Sequence, residues 1–377
     1  MTPPHVLVVG PYERGPEHER NAALLRALSR VAVVDEIRLP AALVGAPARS
    51  RPAASRRVRT NVAAALRAAR VAGAADLVVV PDPWPWPVAL LRTMFRAPVW
   101  IDVRGLAPCV DADIVSTTST AMAELLSSRG GIPRDRCTVL PDTVTDVASA
   151  PITTPSTSPR RIVAFGGEQG GGVDVLIEAL RERTDFALTL VGGDSNERQR
   201  ALRLRGTRLV DADVAPRDRR RHLDDATIVA GLLGSGAIVD ASFPLHAIRA
   251  MAAGRAVVTA STPTSRAFVR DGDDAILVRP ADAASVHAGL DGLVREPERA
   301  RQLGAAARAT FERRFAPDVF AARVASIVAM ATGHDCGTAP PAQSQPNNRE
   351  AFAVVVAAIA SNDTPRSAAS RSAVRTT

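Results

Sequence analysis

The segment Pro244-Leu-His-Ala-Ile-Arg-Ala-Met-Ala-Ala-Gly-Arg-Ala-Val257 constrains the fold more than any other stretch of the chain. Its proline suits a first helical turn, where a missing N–H costs nothing. Small and apolar faces follow, and Gly254 supplies a stop signal. A buried-strand pattern, Ala256 to Thr259, comes directly after it.

The same alternation runs through the rest of the sequence. In the first half, Val6–Val9, Leu77–Val80, Trp100–Val103 and Ile114–Ser116 read as strands, and Asn21–Leu28 and Ala121–Ser128 as helices. Residues 148–159, ASAPITTPSTSP, are rich in Pro, Ser and Thr and lack periodicity, the mark of a linker. A second series follows at once. Its strands fall near Ile162–Phe165, Leu188–Val191, Arg208–Val210, Ile238–Val239, Val257–Thr259 and Ala275–Val278. Its helices fall near Val173–Leu180, Glu197–Arg205, Leu245–Ala253, Ala284–Arg295, Glu298–Phe311 and 318–331. Strands that alternate with helices argue for the α/β class and doubly wound parallel sheets. The expected organisation is a first domain at 1–147, a linker at 148–160 and a second domain at 161–332. The tail, 333–377, is dominated by Pro, Gln, Asn, Ser and Thr, which predicts disorder.

A chain of 377 residues fits two domains of ~100–200 residues each. No apolar run approaches the ~20 residues of a membrane-spanning helix, and the N-terminus enters a strand pattern without a charged leader. Both point to a cytoplasmic protein. Cys109, Cys137 and Cys336 are scattered and read as reduced thiols. The six His are dispersed, so no metal site is expected.

The chain contains no lysine, so all 47 basic residues are arginine. That excludes phosphate-loop lysines, Schiff bases and lysine general bases. A formal charge of +8 favours an anionic partner. Between Ile37 and Ala75 no acidic residue occurs, while Arg38, Arg49, Arg51, Arg56, Arg57, Arg59, Arg67 and Arg70 all fall there. The run reads either as a solvated face or as a peripheral contact with anionic lipid at the inner membrane face. Only 3% of residues are aromatic and none interleaves these arginines, which argues against nucleic acid.

The Pro244 segment resembles the sugar-nucleotide-binding helix of the GT-B glycosyltransferases, the retaining branch. That helix typically reads Pro-Leu-Lys-x-x-Glu-Ala-Met-Ala-x-Gly, followed by Pro-Val-Val. In that family it starts at the donor's phosphates and carries the carboxylate that holds the ribose. The strand, glycine turn and helix of residues 163–180 are similar to a second family element. Its glycines, Gly166, Gly167, Gly170, Gly171 and Gly172, let a backbone approach a diphosphate. Leu140-Pro-Asp-Thr-Val-Thr145 resembles the family's Ile-Pro-Asn-Gly-Val-Asp signature.

The resemblance spans roughly Val6 to Met330. It implies two facing Rossmann-like domains, with the 318–331 helix crossing back to the first. It also implies a metal-independent hexosyltransferase that uses a nucleoside-diphosphate sugar as substrate and no cofactor. The donor-binding residues it implies are Gly15, Gly166, Gly167, Gln169, Gly170, Gly171, Val214, Phe243, Pro244, Leu245, His246 and Arg249. The catalytic candidates are Asp102, Arg104 and His18.

The departures are as specific as the matches. His246 stands where the family has Lys, and Arg249 where it has Glu; glycines replace the Arg and Lys of the turn. The upstream family carboxylate falls at Ala241, with Asp240 one residue away. A guanidinium pairs well with phosphate or carboxylate but has no acceptor for ribose hydroxyls. Two functions therefore stand open. One is a retaining transferase acting on a glycan, lipid or small-molecule acceptor. The other is a catalytically impaired GT-B protein serving as a binding or partner subunit.

Overall fold

The computed structural model describes residues 2–11, 16–39, 75–81, 96–105, 112–145, 160–168, 170–212 and 221–334. The first domain contains β1 (His5–Pro11), α1 (Pro16–Leu28), β2 (Val33–Leu39), β3 (Leu77–Pro81), β4 (Val99–Val103), β5 (Ile114–Thr117), α2 (Thr120–Gly130) and β6 (Cys137–Val139). The second begins with β7 (Arg160–Gly166), α3 (Val173–Leu180), β8 (Phe186–Gly192), α4 (Ser195–Ala201) and β9 (Arg208–Val210). It continues through β10 (Ile228–Ala230), α5 (Ala237–Ala241), α6 (Leu245–Ala252), β11 (Ala256–Ala260) and α7 (Pro263–Phe268). It ends with β12 (Ile276–Val278), α8 (Ala283–Arg295), α9 (Pro297–Arg314) and α10 (Pro317–Thr332).

Each domain carries a six-stranded sheet, ordered β2-β1-β3-β4-β5-β6 in the first and β12-β11-β10-β7-β8-β9 in the second. Every pairing within them is parallel. Strands β3, β4, β5, β10 and β11 are buried along their whole length. Helices cover both faces of such a sheet, so its strands carry continuous apolar runs. The α/β, doubly wound architecture is thus as the alternation predicted.

Three strands differ from the sequence reading. Ile238–Val239 lies in helix α5, which starts after Gly236; the strand that completes the second sheet is Ile228–Ala230 instead. Both runs are short and apolar, and periodicity cannot separate them. Strand β2, half polar in Val-Val-Asp-Glu-Ile-Arg-Leu, pairs only with β1. Strand β6, with three residues, pairs only with β5. Arg160, expected in the linker, opens β7. Residues 146–159 and 335–377, and with them most of the expected linker and tail, lie outside the described residues, as do Arg49–Arg70.

The last helix, α10, leaves the second domain and packs on α1. Phe320, Val324, Ile327 and Val328 bury themselves with Val6, Leu24, Leu28 and Trp100. One window within Glu298–Thr332 is long and apolar enough, by length and composition alone, to cross a membrane. The chain breaks between α9 and α10 at Ala316 (ψ 148°), and the apolar face of α10 is spent on the first-domain core. Side-chain bonds tie the domains further. Ser119, the N-cap of α2, donates to the Ala241 carbonyl at 2.6 Å, and Thr143 donates to the Phe315 carbonyl at 2.6 Å.

Candidate functional site

Strand order reverses between β1 and β3 in the first sheet and between β7 and β10 in the second. Open parallel sheets bind ligands beyond the carboxyl ends of their strands at such switch points. In the second domain the switch point is built from two glycine-rich loops in close contact. Leu233, beyond β10, donates its N–H to the Gly171 carbonyl at 2.8 Å. A Cβ on Gly172 would overlap the Gly234 backbone, and one on Gly234 would overlap the Gly170 carbonyl. Gly172 also sits at φ +80°, where side chains are strained. These glycines therefore press the two loops together.

Glu197 enters the same loop. Its carboxylate accepts the Gly167 N–H at 3.0 Å and the Asp194 N–H at 2.9 Å, closing the capping box of α4. One backbone donor of the glycine turn is therefore already satisfied by an acidic side chain.

Helix α6 brings its first turn to this loop. Pro244 is its N-cap and Leu245 its first residue. His246, 4% exposed, stacks on Phe165 at the end of β7 with ring centroids 4.7 Å apart. Its Nδ1 lies 3.4 Å from Glu168 Oε1, while Nε2 is buried with no partner among the described residues. Burial acts to raise the Glu168 carboxyl, but the adjacent imidazole outweighs it and holds the group below the usual carboxylate range.

One turn further along α6, Arg249 crosses to the first domain and forms an ion pair with Glu19 of α1. Both side chains are mostly buried, at 15% and 19% exposure. Glu19 lies in the first turns of the helix that follows β1, the first domain's own switch point. The guanidinium at the ribose-binding position of the resemblance thus faces a carboxylate supplied by the opposite domain.

Arg20, the next residue, is fully buried and anchors a network of hydrogen bonds. Its Nε and Nη2 grip both oxygens of Asp102 at 2.6 and 2.7 Å, and Nη1 donates to Asp142 at 2.6 Å. Nη2 also donates to the Leu140 carbonyl at 3.0 Å. Ser116 donates to Asp102 at 2.5 Å and receives the Trp100 indole N–H at 2.8 Å. Burial alone would lower the Arg20 guanidinium and raise the Asp102 carboxyl. Their mutual attraction reverses both, leaving Arg20 raised and Asp102 lowered. The Leu140-Pro-Asp142 signature is explained by this network.

The remaining candidates separate. Asp102 is 2% exposed and its oxygens are committed to Arg20 and Ser116, so in this arrangement it is an internal counter-ion rather than a cleft group. Arg104 is half-buried just beyond β4 and helps to lower the Asp102 carboxyl. Phe243 points inward, into a cluster with Phe268 and Phe315 at centroid distances of 5.5 and 5.8 Å. His18 falls in the first turn of α1, but its side chain lies outside the described residues, as do Gly15, Gln169 and Val214.

Gly166, Gly167, Gly170, Gly171, Pro244, Leu245, His246 and Arg249 come together around the β7 end. Glu19, Arg20, Glu168 and Glu197 were absent from the sequence candidates. Only Glu168, inside the glycine turn, carried a local signal. Among the described residues, no group of three or more His, Cys, Asp or Glu is placed to hold a metal ion.

Residues 159–296 match the family described as Glycosyl transferases group 1. Sequence comparison finds no curated relative. Several solved structures share the fold. A glycosyltransferase from Rickettsia africae ESF-5 superimposes with a TM-score of 0.66 at 15% identity, covering 88% of this chain and 99% of that one. Anabaena HepE in complex with UDP-glucose gives 0.64 at 15% identity, over 86% and 99%. Sucrose-phosphate synthase from Thermosynechococcus elongatus gives 0.65 at 17% identity, over 87% and 98%. At these identities the likeness establishes the fold, while the family match covers the stretch that carries the glycine loops and α6. Residues 159–296 thus match the glycosyl transferases group 1 family, in a chain that shares the two-domain GT-B fold of these structures.

Proposed function

We propose that the chain transfers a sugar from a nucleoside-diphosphate donor to a glycan, lipid or small-molecule acceptor, with retention at the anomeric carbon. The observation that carries this reading is His246. Its buried Nε2, without a partner among the described residues, sits on the first turn of α6 beside the glycine loop at the switch point. A buried polar atom without a partner is costly unless a ligand completes it. Backbone N–H groups at the amino ends of α3 and α6, with this imidazole, stabilise charge on a departing diphosphate. The acceptor hydroxyl oxygen forms the new bond to the anomeric carbon as the bond to the diphosphate breaks, and the hydroxyl proton passes to the departing diphosphate oxygen. The donor enters as substrate, and the scheme asks for no cofactor. HepE, bound to UDP-glucose, supports a uridine diphosphate sugar as the first donor to test.

The test is a panel of UDP-, GDP- and dTDP-sugars, with released nucleoside diphosphate as the readout. Turnover that His246→Ala abolishes supports the assignment. A full panel with neither turnover nor ligand-induced thermal stabilisation sinks it.

The Arg249–Glu19 pair favours a second reading, a binding or partner subunit whose donor site has been lost. The double variant Arg249→Glu/Glu19→Gln returns a carboxylate to α6 without placing two anions face to face. A markedly tighter UDP dissociation constant supports lost binding. An unchanged constant counts against it.

A further inference from the structure

A cavity of about 420 Å³ opens between α7, the turn at 270–274 and the carboxyl-terminal half of α9. None of its lining residues belongs to the glycine loops, α5 or α6. Four of them are Arg266, Arg270, Arg313 and Arg314. We propose that this cavity is a second ligand site, one that takes a phosphate-bearing anion.

Three of the four guanidiniums are held by neutral groups. Arg266 donates to the Ser261 carbonyl and hydroxyl at 3.0 and 3.1 Å, and Arg314 to the Ala267 carbonyl at 3.1 Å. Arg313 donates to the Thr310 hydroxyl at 2.7 Å. Among the described residues, none of the four forms an ion pair with a carboxylate. Two acids line the same space. Asp274 is buried and already accepts from the Arg270 N–H at 2.6 Å and the Thr310 hydroxyl at 2.7 Å. Asp273 is exposed. Arginine therefore exceeds acid by two in the lining.

Outside the lining, helix α10 brings a further cation, Arg323, near Arg314. Burial lowers the Arg323 guanidinium from its ordinary value, and the neighbouring Arg314 lowers it further. A half-buried cation that faces a second cation is destabilised until an anion arrives. Arg313 and Arg314 gain from the negative end of α9, which does not account for Arg266 on α7 or Arg270 in the turn. Planar guanidiniums match phosphate oxygens bidentately, and the volume suits a phosphate group with a small organic body. That group comes either from a soluble phosphate ester or from an anionic lipid headgroup.

Arginine labelling of the full chain by phenylglyoxal, read peptide by peptide in a mass spectrometer, tests the site. Inorganic pyrophosphate, phosphatidylglycerol vesicles and phosphatidylcholine vesicles serve as protectants. The expected result is that labelling of Arg266, Arg270, Arg313 and Arg314 slows about tenfold, the scale of one charge-assisted contact. The exposed Arg203 and Arg205 should react as before. Protection by pyrophosphate supports the site with a soluble ester, and protection by phosphatidylglycerol vesicles alone supports it with a headgroup. The double variant Arg266→Gln/Arg270→Gln should abolish protection of Arg313 and Arg314, whereas His246→Ala should leave it intact, which separates this site from the donor cleft. Equal labelling with and without both anionic probes overturns the proposal. So does equal protection by phosphatidylcholine, or protection that survives the double variant.

Discussion

Arg249 of α6 and Glu19 of α1 form a largely buried ion pair that joins the two domains across the cleft. The pair places a cation and an anion at the mouth of both switch points. It also makes the relative position of the domains depend on two charges. Glu19→Gln and Arg249→Gln, measured singly and together by urea unfolding, should show a coupling of roughly 0.5–3 kcal/mol. Strict additivity would mean the contact holds nothing.

Asp102 should be far more costly to alter than a surface acid. Asp102→Ala leaves Arg20 fully buried beside a vacated partner, a change worth about 3–5 kcal/mol. The sign with pH follows from the lowered Asp102 carboxyl. Its contribution is fully present above the unfolded carboxylate value of about 3.9, and it is lost as pH falls through the lower folded value. Urea midpoints of the parent chain should therefore drop steeply below about pH 4, and Asp102→Ala should flatten that drop. A parallel pair of curves would contradict the ion pair.

Gly234→Ala and Gly131→Ala separate two uses of glycine. A Cβ at Gly234 meets the Gly170 backbone, which cannot rotate away; overpacking of this kind costs about 1–3 kcal/mol or more. At Gly131, the αL cap of α2, a Cβ meets nothing within 4 Å. Only the left-handed backbone penalises it, by roughly 1–2 kcal/mol. Differential scanning calorimetry should show the larger loss at Gly234, and nucleotide binding should fall only there.

His246→Leu preserves an apolar body against Phe165 while deleting both ring nitrogens. The thermal midpoint should change little. UDP affinity should weaken about tenfold, read by isothermal titration. Unchanged affinity would remove the imidazole from the donor site.

Much of the architecture was legible because burial on both faces writes itself as short apolar runs. Leu77–Val80, Trp100–Val103 and Val257–Thr259 each proved to be a central strand. Runs at the edges carried less. Val33–Leu39 is interrupted by Asp35, Glu36 and Arg38, and Ile238–Val239 offered the same short apolar signal as Ile228–Ala230. The glycine loop and the α6 segment were visible as motifs, and their meeting at Phe165 and His246 matches the order in which β7 and β10 flank the switch point. Asp102 stood out as a polar residue at a strand end. The local sequence held nothing to show that Arg20, 82 positions away, would neutralise it.

Local order along the chain thus determined the class of fold, the two-part division and the helix at Leu245, because helix periodicity, strand hydrophobicity and glycine stops act between near neighbours. Charge partnership was decided only in three dimensions. Arg249 alone reads as a lost ribose carboxylate, and Glu19 drew no reading from the sequence. Facing each other 230 positions apart, they become one interdomain contact, because Coulombic attraction between partly buried groups depends on spatial distance and surroundings, with no trace in sequence spacing.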